Sequence, residues 1–464
     1  MKILFVFTHY NFWSPLDPIA RVYVAAGHEI RVLVDRARNV NFEKRYPFGQ
    51  GKQPYRMDWS LSRGDTWQFI LNPLRELISY VAYLKLRKPT SPLLTERWSA
   101  YVPFFLKPLT RNEKGRAWLS RESFWDFLRR LESGAPTSRR IKRQLTDFAP
   151  DLVVAASAIL PYSKETDYLK AAQELGIPTI LIVPSWDNLT TKGTLHVQPD
   201  HVFVWNEGQI PEVEELHNVP AERVFCTGAP KFDSWFDIEP ALDRRSFCEQ
   251  IGIDPEKPYL LYLCSSEFIS GDETVYINEL AERIRRDPRL NDLTLLVRPH
   301  PQNLGPWKAY QQNGSNFAVW PLNQKSLAPS DMIWDYYHSL CYSIGVAGIN
   351  TSAFIEAAIV DKPCIAITPP QFNHTQMGIP HFHHLLDAGF LELSRDMDEF
   401  VQVIVRLLNG EDRKKTQRQQ FIRDFVRPQG MDIPALQVMS QALENVAMGR
   451  EPVFMVKIPE EQPV

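Results

Sequence analysis

At 464 residues the chain exceeds one ordinary hydrophobic core, so two domains are expected. The composition, 44% hydrophobic and 23% charged, is that of a soluble globular protein, and no apolar run is long enough to span a bilayer. A net charge of −3, with no recognised nucleic-acid module, argues against a nucleic-acid partner.

The five cysteines are odd in number, scattered and free of CxxC spacing. They read as thiols in a reducing compartment, hence a cytoplasmic protein, rather than as disulfides or a zinc site. Charge is uneven along the chain. From Leu61 to Pro150 there are 17 Lys and Arg against 8 Asp and Glu, a local +9, which leaves −12 for the remainder.

The chain opens on an apolar strand, Lys2 to Phe7, read as a first strand rather than a signal peptide. A polar loop, a helix from Pro18 to Ala26 and a second strand, Glu29 to Val34, follow. Residues 36–60 lack periodicity and read as a loop or excursion. About 61–146 lies a basic, aromatic insertion with a helical stretch, LNPLRELISYVAYLKLRK, and the run YVPFFLKPL. Two readings fit it: a helical cover for the sheet with solvated charges, or a surface that meets anionic membrane through aromatic anchors and Lys/Arg.

Alternation resumes at Asp147. Strand FAPDLVVAAS, a helix from Thr166 to Leu175 and strand GIPTILIVPS lead to SWDNLTTKG. PDHVFVWNEGQ, a helix from Glu212 to His217 and AERVFCTGAPKFDSWF close the first half. Asp237 to Asp243 has few apolar residues and reads as a linker. The second half repeats the logic: strand PYLLYLCSSEF, helix Thr274 to Arg286, and strand LTLLVRPHPQN. The run from Tyr342 to Thr368 is a strand–turn–helix–strand unit whose turn is Asn350-Thr351-Ser352. Helices from Phe400 to Leu408 and Ile433 to Met448 complete the pattern, and the tail after Gly449 reads as poorly ordered.

These halves predict an α/β fold of two doubly wound Rossmann-like domains, 1–236 and 237–430, with a C-terminal helix and tail, 431–464. Ligands of such sheets sit outside the carboxyl ends of the strands. Those ends carry His9, Ser157, Ser185 to Asn188, Ser265 to Glu267, Arg298, His300 and Asn350 to Ser352, which favours a ligand cleft between the domains.

AGHEIRVLV, GIPTILI, VFCTGAPKFD, the RPHP turn and GINTSAFIEAA together resemble the GT-B superfamily of glycosyltransferases. That group includes the UDP-N-acetylglucosamine 2-epimerases, and the wall-polymer CDP-glycerol glycerophosphotransferases are similar. SWDNLTTKG with RPHP resembles bacterial surface-carbohydrate biosynthesis proteins.

The resemblance implies two domains facing a central cleft and transfer of a sugar from a nucleotide-sugar donor to a carbohydrate or lipid-linked acceptor. Arg298 and His300 would face the diphosphate as charge-assisted donors. Ser265 and Ser266, with Asn350 and the amides of Thr351 and Ser352, would cradle phosphate. Glu356 would hold ribose hydroxyls. His9 and Asp187 are rival bases for the acceptor hydroxyl.

Each has a plainer account. His9 can be a loop histidine bonded to backbone, Asp187 a turn former, Ser352 an N-cap and Glu356 a complement to the helix dipole. Asp396-Met397-Asp398 matches a metal-chelating DxD pattern but reads as helix N-terminal charge. His374, His381, His383 and His384 read as loop histidines. No cofactor and no essential metal are expected. A sugar-nucleotide epimerase, a CDP-glycerol-type phosphotransferase and a non-catalytic membrane-associated scaffold remain alternatives.

Overall fold

The computed structural model describes residues 1–39, 53–85, 92–307, 316–321 and 329–454. The chain divides into two units, Met1–Asp233 with Asp424–Val464, and Ser234–Arg423. The final residues of the tail, 455–464, lie outside the described residues, as do residues 86–88 of the expected helical stretch and the segment 322–328.

The first unit holds a seven-stranded sheet of β1 (Lys2–Phe7), β2 (Glu29–Val34), β3 (Arg56–Trp59), β4 (Leu152–Ala155), β5 (Thr179–Ile182), β6 (His201–Val204) and β7 (Val224–Cys226). Its order is β3-β2-β1-β4-β5-β6-β7 and every pairing is parallel. Parallel strands are covered on both faces, which is why β1 and β4 are continuous apolar runs. Ile3 to Phe7 and Leu152 to Ala155 are all buried. Trp13, Ile19, Ala20 and Tyr23 close one face together with Met439, Ala442, Leu443 and Val446 of the helix Ala435–Ala447. The last helix among the described residues thus completes the core of the first sheet. Asp233 fixes its start by accepting from the amides of Ala435 (3.0 Å) and Leu436 (2.7 Å).

β3 falls where the sequence reads as a loop. Four residues with two charges carry too little periodicity to announce a strand. Met57 and Trp59 nonetheless pack against the core from the sheet edge.

The insertion is helical, with helices Trp67–Lys85, Pro92–Ser99, Lys107–Thr110, Glu113–Leu119, Glu122–Gly134 and Arg139–Phe148. Helix Arg139–Phe148 lays Ile141, Leu145 and Phe148 on Leu4, Val6, Leu33 and Val153, so part of the insertion covers the sheet. Two of its cations are interior. Arg75 bonds Glu132 (3.0 Å) and Asp167 (2.9 Å), and Arg63 bonds the same Asp167 oxygen (3.1 Å). Those charges neutralise one another and tie the insertion to the helix Glu165–Glu174.

The second unit holds β8 (Tyr259–Leu263), β9 (Thr294–Arg298), β10 (Phe317–Val319), β11 (Val346–Gly348), β12 (Cys364–Ile367) and β13 (Leu391–Ser394). Its order is β10-β9-β8-β11-β12-β13, again wholly parallel. Both sheets therefore share the doubly wound order 3-2-1-4-5-6. The order reverses between β1 and β4 in one unit and between β8 and β11 in the other. Segment 237–243, expected as a linker, is pinned to the second unit. Ala241 and Leu242 donate amides to His338 Nε2 (3.0 and 3.1 Å), and Tyr337 donates its hydroxyl to Ile238 O (2.9 Å).

Among the described residues, no helix is long and apolar enough to cross a membrane. All five cysteines are free thiols.

Candidate functional site

At the reversal in the first sheet, β1 ends in Thr8 and His9. Glu165, wholly buried, holds this end in place. Its Oε1 accepts from the Thr8 amide (2.5 Å) and hydroxyl (2.8 Å), and its Oε2 from the amides of Ala156 (2.9 Å) and Ser157 (2.5 Å). Burial pushes its pKa up to about 7 against those hydrogen bonds. Asn39 secures the other side, donating to Thr8 O (2.8 Å) and accepting from the Tyr10 amide (3.1 Å).

His9 is thereby presented on a fixed turn. Its ring lies edge-on to Phe12, with centroids 5.6 Å apart. Burial first, and then the charge of Arg38, lower its pKa from 6.5, while Asp35 opposes them. A neutral imidazole at neutral pH is a proton acceptor. Arg38 itself donates to Pro161 O (3.1 Å), and Lys164 pairs with Asp35 (2.8 Å). The Ser157 hydroxyl, also at this reversal, is buried with no hydrogen-bond partner among the described residues.

Asp187 stands after β5, two strands from His9. Its carboxylate accepts from Ser185 Oγ (2.6 Å) and Thr191 Oγ (3.1 Å) and lies 3.4 Å from Lys192 Nζ. It organises the SWDNLTTKG turn, and a role as base requires release from these partners. Beside it, at the carboxyl ends of β5 and β6, is a cavity of about 190 Å³ lined by Phe12, Leu16, Pro184, Ser185, Trp205 and Lys231. Lys231 Nζ lies 4.5 Å from the centroid of Phe232 and 5.7 Å from that of Trp205.

In the second unit the candidate residues gather at the carboxyl ends of β8, β9 and β11. Glu273 repeats the device of Glu165. It accepts from the Ser265 amide (2.6 Å) and the Tyr262 hydroxyl (2.7 Å), and burial pushes its pKa up to about 7. The Ser266 carbonyl accepts from the amides of Ile269 (2.9 Å) and Ser270 (3.1 Å), which closes the turn after β8.

Arg298 is engaged within the protein. Nη1 donates to Asp335 (2.7 Å) and Ser339 Oγ (2.7 Å), and the guanidinium lies 5.4 Å from the Tyr336 ring centroid. Tyr336 in turn donates its hydroxyl to Glu356 (2.6 Å). One aromatic residue therefore brings Arg298 and Glu356 together. His300 accepts the Gln302 amide on Nδ1 (3.2 Å), and burial lowers its pKa.

Gly348 lets the next turn approach β8, since a Cβ there would sit 2.8 Å from the Leu263 carbonyl oxygen. Asn350 is buried and donates to Thr375 O (2.9 Å), a bond that anchors the loop after β12. Ser352 occupies the N-cap of the seven-residue helix Ala353–Ile359 without a side-chain capping bond; Thr351 Oγ takes the Ala353 amide instead (3.2 Å). Thr351 thus has the local role that the sequence suggested for Ser352.

Asp396 caps the helix Met397–Leu408 by accepting from the Glu399 amide (2.8 Å), and Asp398 pairs with Arg283 (3.0 Å). His383 Nε2 lies 2.9 Å from Met377 O. Among the described residues, no three or more His, Cys, Asp or Glu are grouped to hold a metal ion.

Sequence reasoning did not find Glu165, Arg38, Lys231, Asp335 or Tyr336. Glu165 alone had a signal: a carboxylate that opens the helix following β4, with residues 156–164 between it and the strand end.

No protein-family model matches the sequence, and no curated protein sequence matches it. Solved structures do resemble it. A UDP-N-acetylglucosamine 2-epimerase from Listeria monocytogenes, described as putative in its own right, superposes at 12% identity and TM-score 0.52, covering 98% of this chain and 99% of that one. The UDP-GlcNAc 2-epimerase from Neisseria meningitidis bound to UDP-GlcNAc gives 13%, 0.50, 96% and 100%. A glycosyltransferase from Rickettsia africae gives 11%, 0.52, 96% and 98%. The fold is the two-domain, Rossmann-like fold shared by these epimerases and GT-B glycosyltransferases. At such identities the likeness is one of architecture.

Proposed function

We propose that the chain is a nucleotide-sugar enzyme and, within that class, a glycosyltransferase of bacterial surface polysaccharide assembly. The observation that carries this reading is His9, a half-buried imidazole held neutral on a rigid turn at the reversal of the first sheet. In this reading the carboxyl edge of the second sheet takes the donor. Glu356, oriented by Tyr336, accepts from ribose hydroxyls. Ser265, Ser266, Asn350, Thr351 and Ser352 line the phosphates, and Arg298 and His300 stabilise charge on the departing diphosphate. An acceptor hydroxyl attacks the anomeric carbon, the bond to the diphosphate breaks, and His9 takes the hydroxyl proton. Asp187 is the alternative base.

The reading includes no cofactor and no essential metal, so activity should survive EDTA. Five free thiols suit a cytoplasmic setting.

Epimerisation is the second reading, favoured by the likeness to two epimerase structures. A thermal-shift panel of UDP, GDP, CDP, CMP and TDP comes first. A nucleotide at about 100 times its Kd stabilises by roughly 2.7 kcal/mol. A shift with CMP or CDP redirects the search to acidic-sugar or glycerol-phosphate donors. Product analysis of the matching nucleotide sugar then decides. Diphosphate release that requires an acceptor supports transfer; a changed sugar without any acceptor sinks it in favour of epimerisation. His9→Ala should lower kcat by roughly a hundredfold or more and leave nucleotide binding unchanged.

A further inference from the structure

We propose that the segment from Phe104 to Arg121 is a peripheral docking surface for an anionic lipid membrane. Phe104 and Phe105 form the connection between helices Pro92–Ser99 and Lys107–Thr110. They are 83% and 66% exposed, with ring centroids 5.6 Å apart. Trp118, on the neighbouring helix Glu113–Leu119, is 40% exposed and packs against Phe124, with ring centroids 4.8 Å apart and planes tilted by 42°. The two helices are joined through Gly115, where a Cβ would meet Leu109 backbone at 2.3 Å, so the tip is a packed unit. Large exposed aromatic side chains are what a soluble surface minimises, unless they meet a partner.

The charge around the tip points to the partner. Between Phe104 and Arg121 stand Lys107, Arg111, Lys114, Arg116 and Arg121 against the one carboxylate of Glu113. Arg111 and Lys114 are exposed, whereas the insertion's interior cations, Arg63 and Arg75, are spent on Asp167 and Glu132. Arg129 is likewise engaged, donating to Leu195 O (2.7 Å) over the Trp125 ring. Arg116 donates to Thr110 O (3.1 Å), and Arg111, Lys114 and Arg121 stay exposed beside the two rings, so the aromatic tip carries a local excess of positive charge. Aromatic rings settle at the boundary between headgroups and acyl chains, and nearby Lys and Arg are drawn to anionic headgroups. A protein partner for this patch would have to be both acidic and deeply apolar; an anionic bilayer is both by construction. Among the described residues no helix is long and apolar enough to cross a membrane, and the proposed association is a peripheral one.

The test is co-sedimentation of the full chain with phosphatidylcholine vesicles and with mixed phosphatidylcholine–phosphatidylglycerol vesicles, at low and high salt. Binding should need phosphatidylglycerol and weaken with salt. The double variant Phe104→Ser/Phe105→Ser should bind at least about tenfold more weakly with an unchanged melting temperature, because neither ring is buried. Lys107→Gln/Arg111→Gln/Lys114→Gln should abolish the preference for the anionic lipid. Absence of wild-type binding at low salt, or unchanged binding by the double-Phe variant, overturns the proposal. So does a wild-type dimer by light scattering that the double-Phe variant turns into monomer, because the patch would then be a protein interface. The readout uses no nucleotide, so it stands or falls apart from the proposed activity.

Discussion

Glu165 receives both the amide and the hydroxyl of Thr8 on one carboxylate oxygen, at 2.5 and 2.8 Å. Its second oxygen receives amides from the end of β4, so a single side chain fastens the two strands between which the sheet order reverses. Glu165→Ala leaves three buried amides without partners, and a loss of roughly 3 kcal/mol is expected in urea unfolding. The carboxyl holds its proton more tightly folded, near 7, than at its ordinary 4.5. Its stabilising share is therefore complete below pH 4.5 and lost as pH rises through about 7. Glu165→Gln should flatten that part of the stability–pH curve relative to wild type. An unaltered curve would contradict it.

His217 has the opposite sign. It accepts the Leu195 amide on Nδ1 (3.2 Å) and faces Leu189 O with Nε2 (3.0 Å), an arrangement that only the neutral Nε2–H tautomer satisfies. Burial lowers its pKa to about 4. Its share of stability is present above 6.5 and lost as pH falls through about 4. His217→Leu should cost about 1–3 kcal/mol at neutral pH and remove that acid-side loss, both measurable by urea titration across the window.

Arg298→Ala is a poor probe of nucleotide binding. It strands the buried Asp335 carboxylate with only Trp320 Nε1 (2.7 Å) and Ser339 nearby, and a penalty of about 3–5 kcal/mol is expected. Tyr336→Phe is cleaner. The ring under Arg298 stays, and only the hydroxyl that orients Glu356 is lost. Calorimetry should show roughly tenfold weaker binding of the preferred nucleotide, about 1.4 kcal/mol, with the fold intact. Equal affinity would remove Glu356 from the site.

Gly348→Ala places a methyl 2.8 Å from the Leu263 carbonyl, a backbone atom that cannot swing aside. A destabilisation of about 1–3 kcal/mol is expected, together with weaker nucleotide binding as the Asn350–Ser352 turn is displaced. Gly134→Ala, which meets nothing within 4 Å, is the control and should be neutral or slightly stabilising.

The inner strands of both sheets were legible because wholly buried parallel strands are unbroken apolar runs, as in Tyr259–Leu263 and Cys364–Ile367, whereas the half-exposed edge strands β3 and β13 were not. The helix Pro329–Cys341 was not. Its interior positions include Asp335, His338 and Ser339, so the buried face is polar and defeats a hydrophobic periodicity. Those same residues are the partners of Arg298 and of the segment 237–243, which explains why the sequence showed Arg298 as a free cation and that segment as a linker. Positions at strand ends could be read from local polarity. What each side chain holds depends on residues tens of positions away, such as Asp335 for Arg298, and no local pattern records that.

The helix Ala435–Ala447 gives the molecule an order of completion. A ribosome makes β1 before the second unit, and the whole of that unit, Ser234–Arg423, emerges before Met439, Leu443 and Val446 exist. Through all that time the first sheet lacks one wall of its core, and its apolar face is open to water or to a chaperone. The sheet made earlier is completed later, and a chain that stopped before Ala435 would carry its damage about four hundred residues back, at β1 and β2.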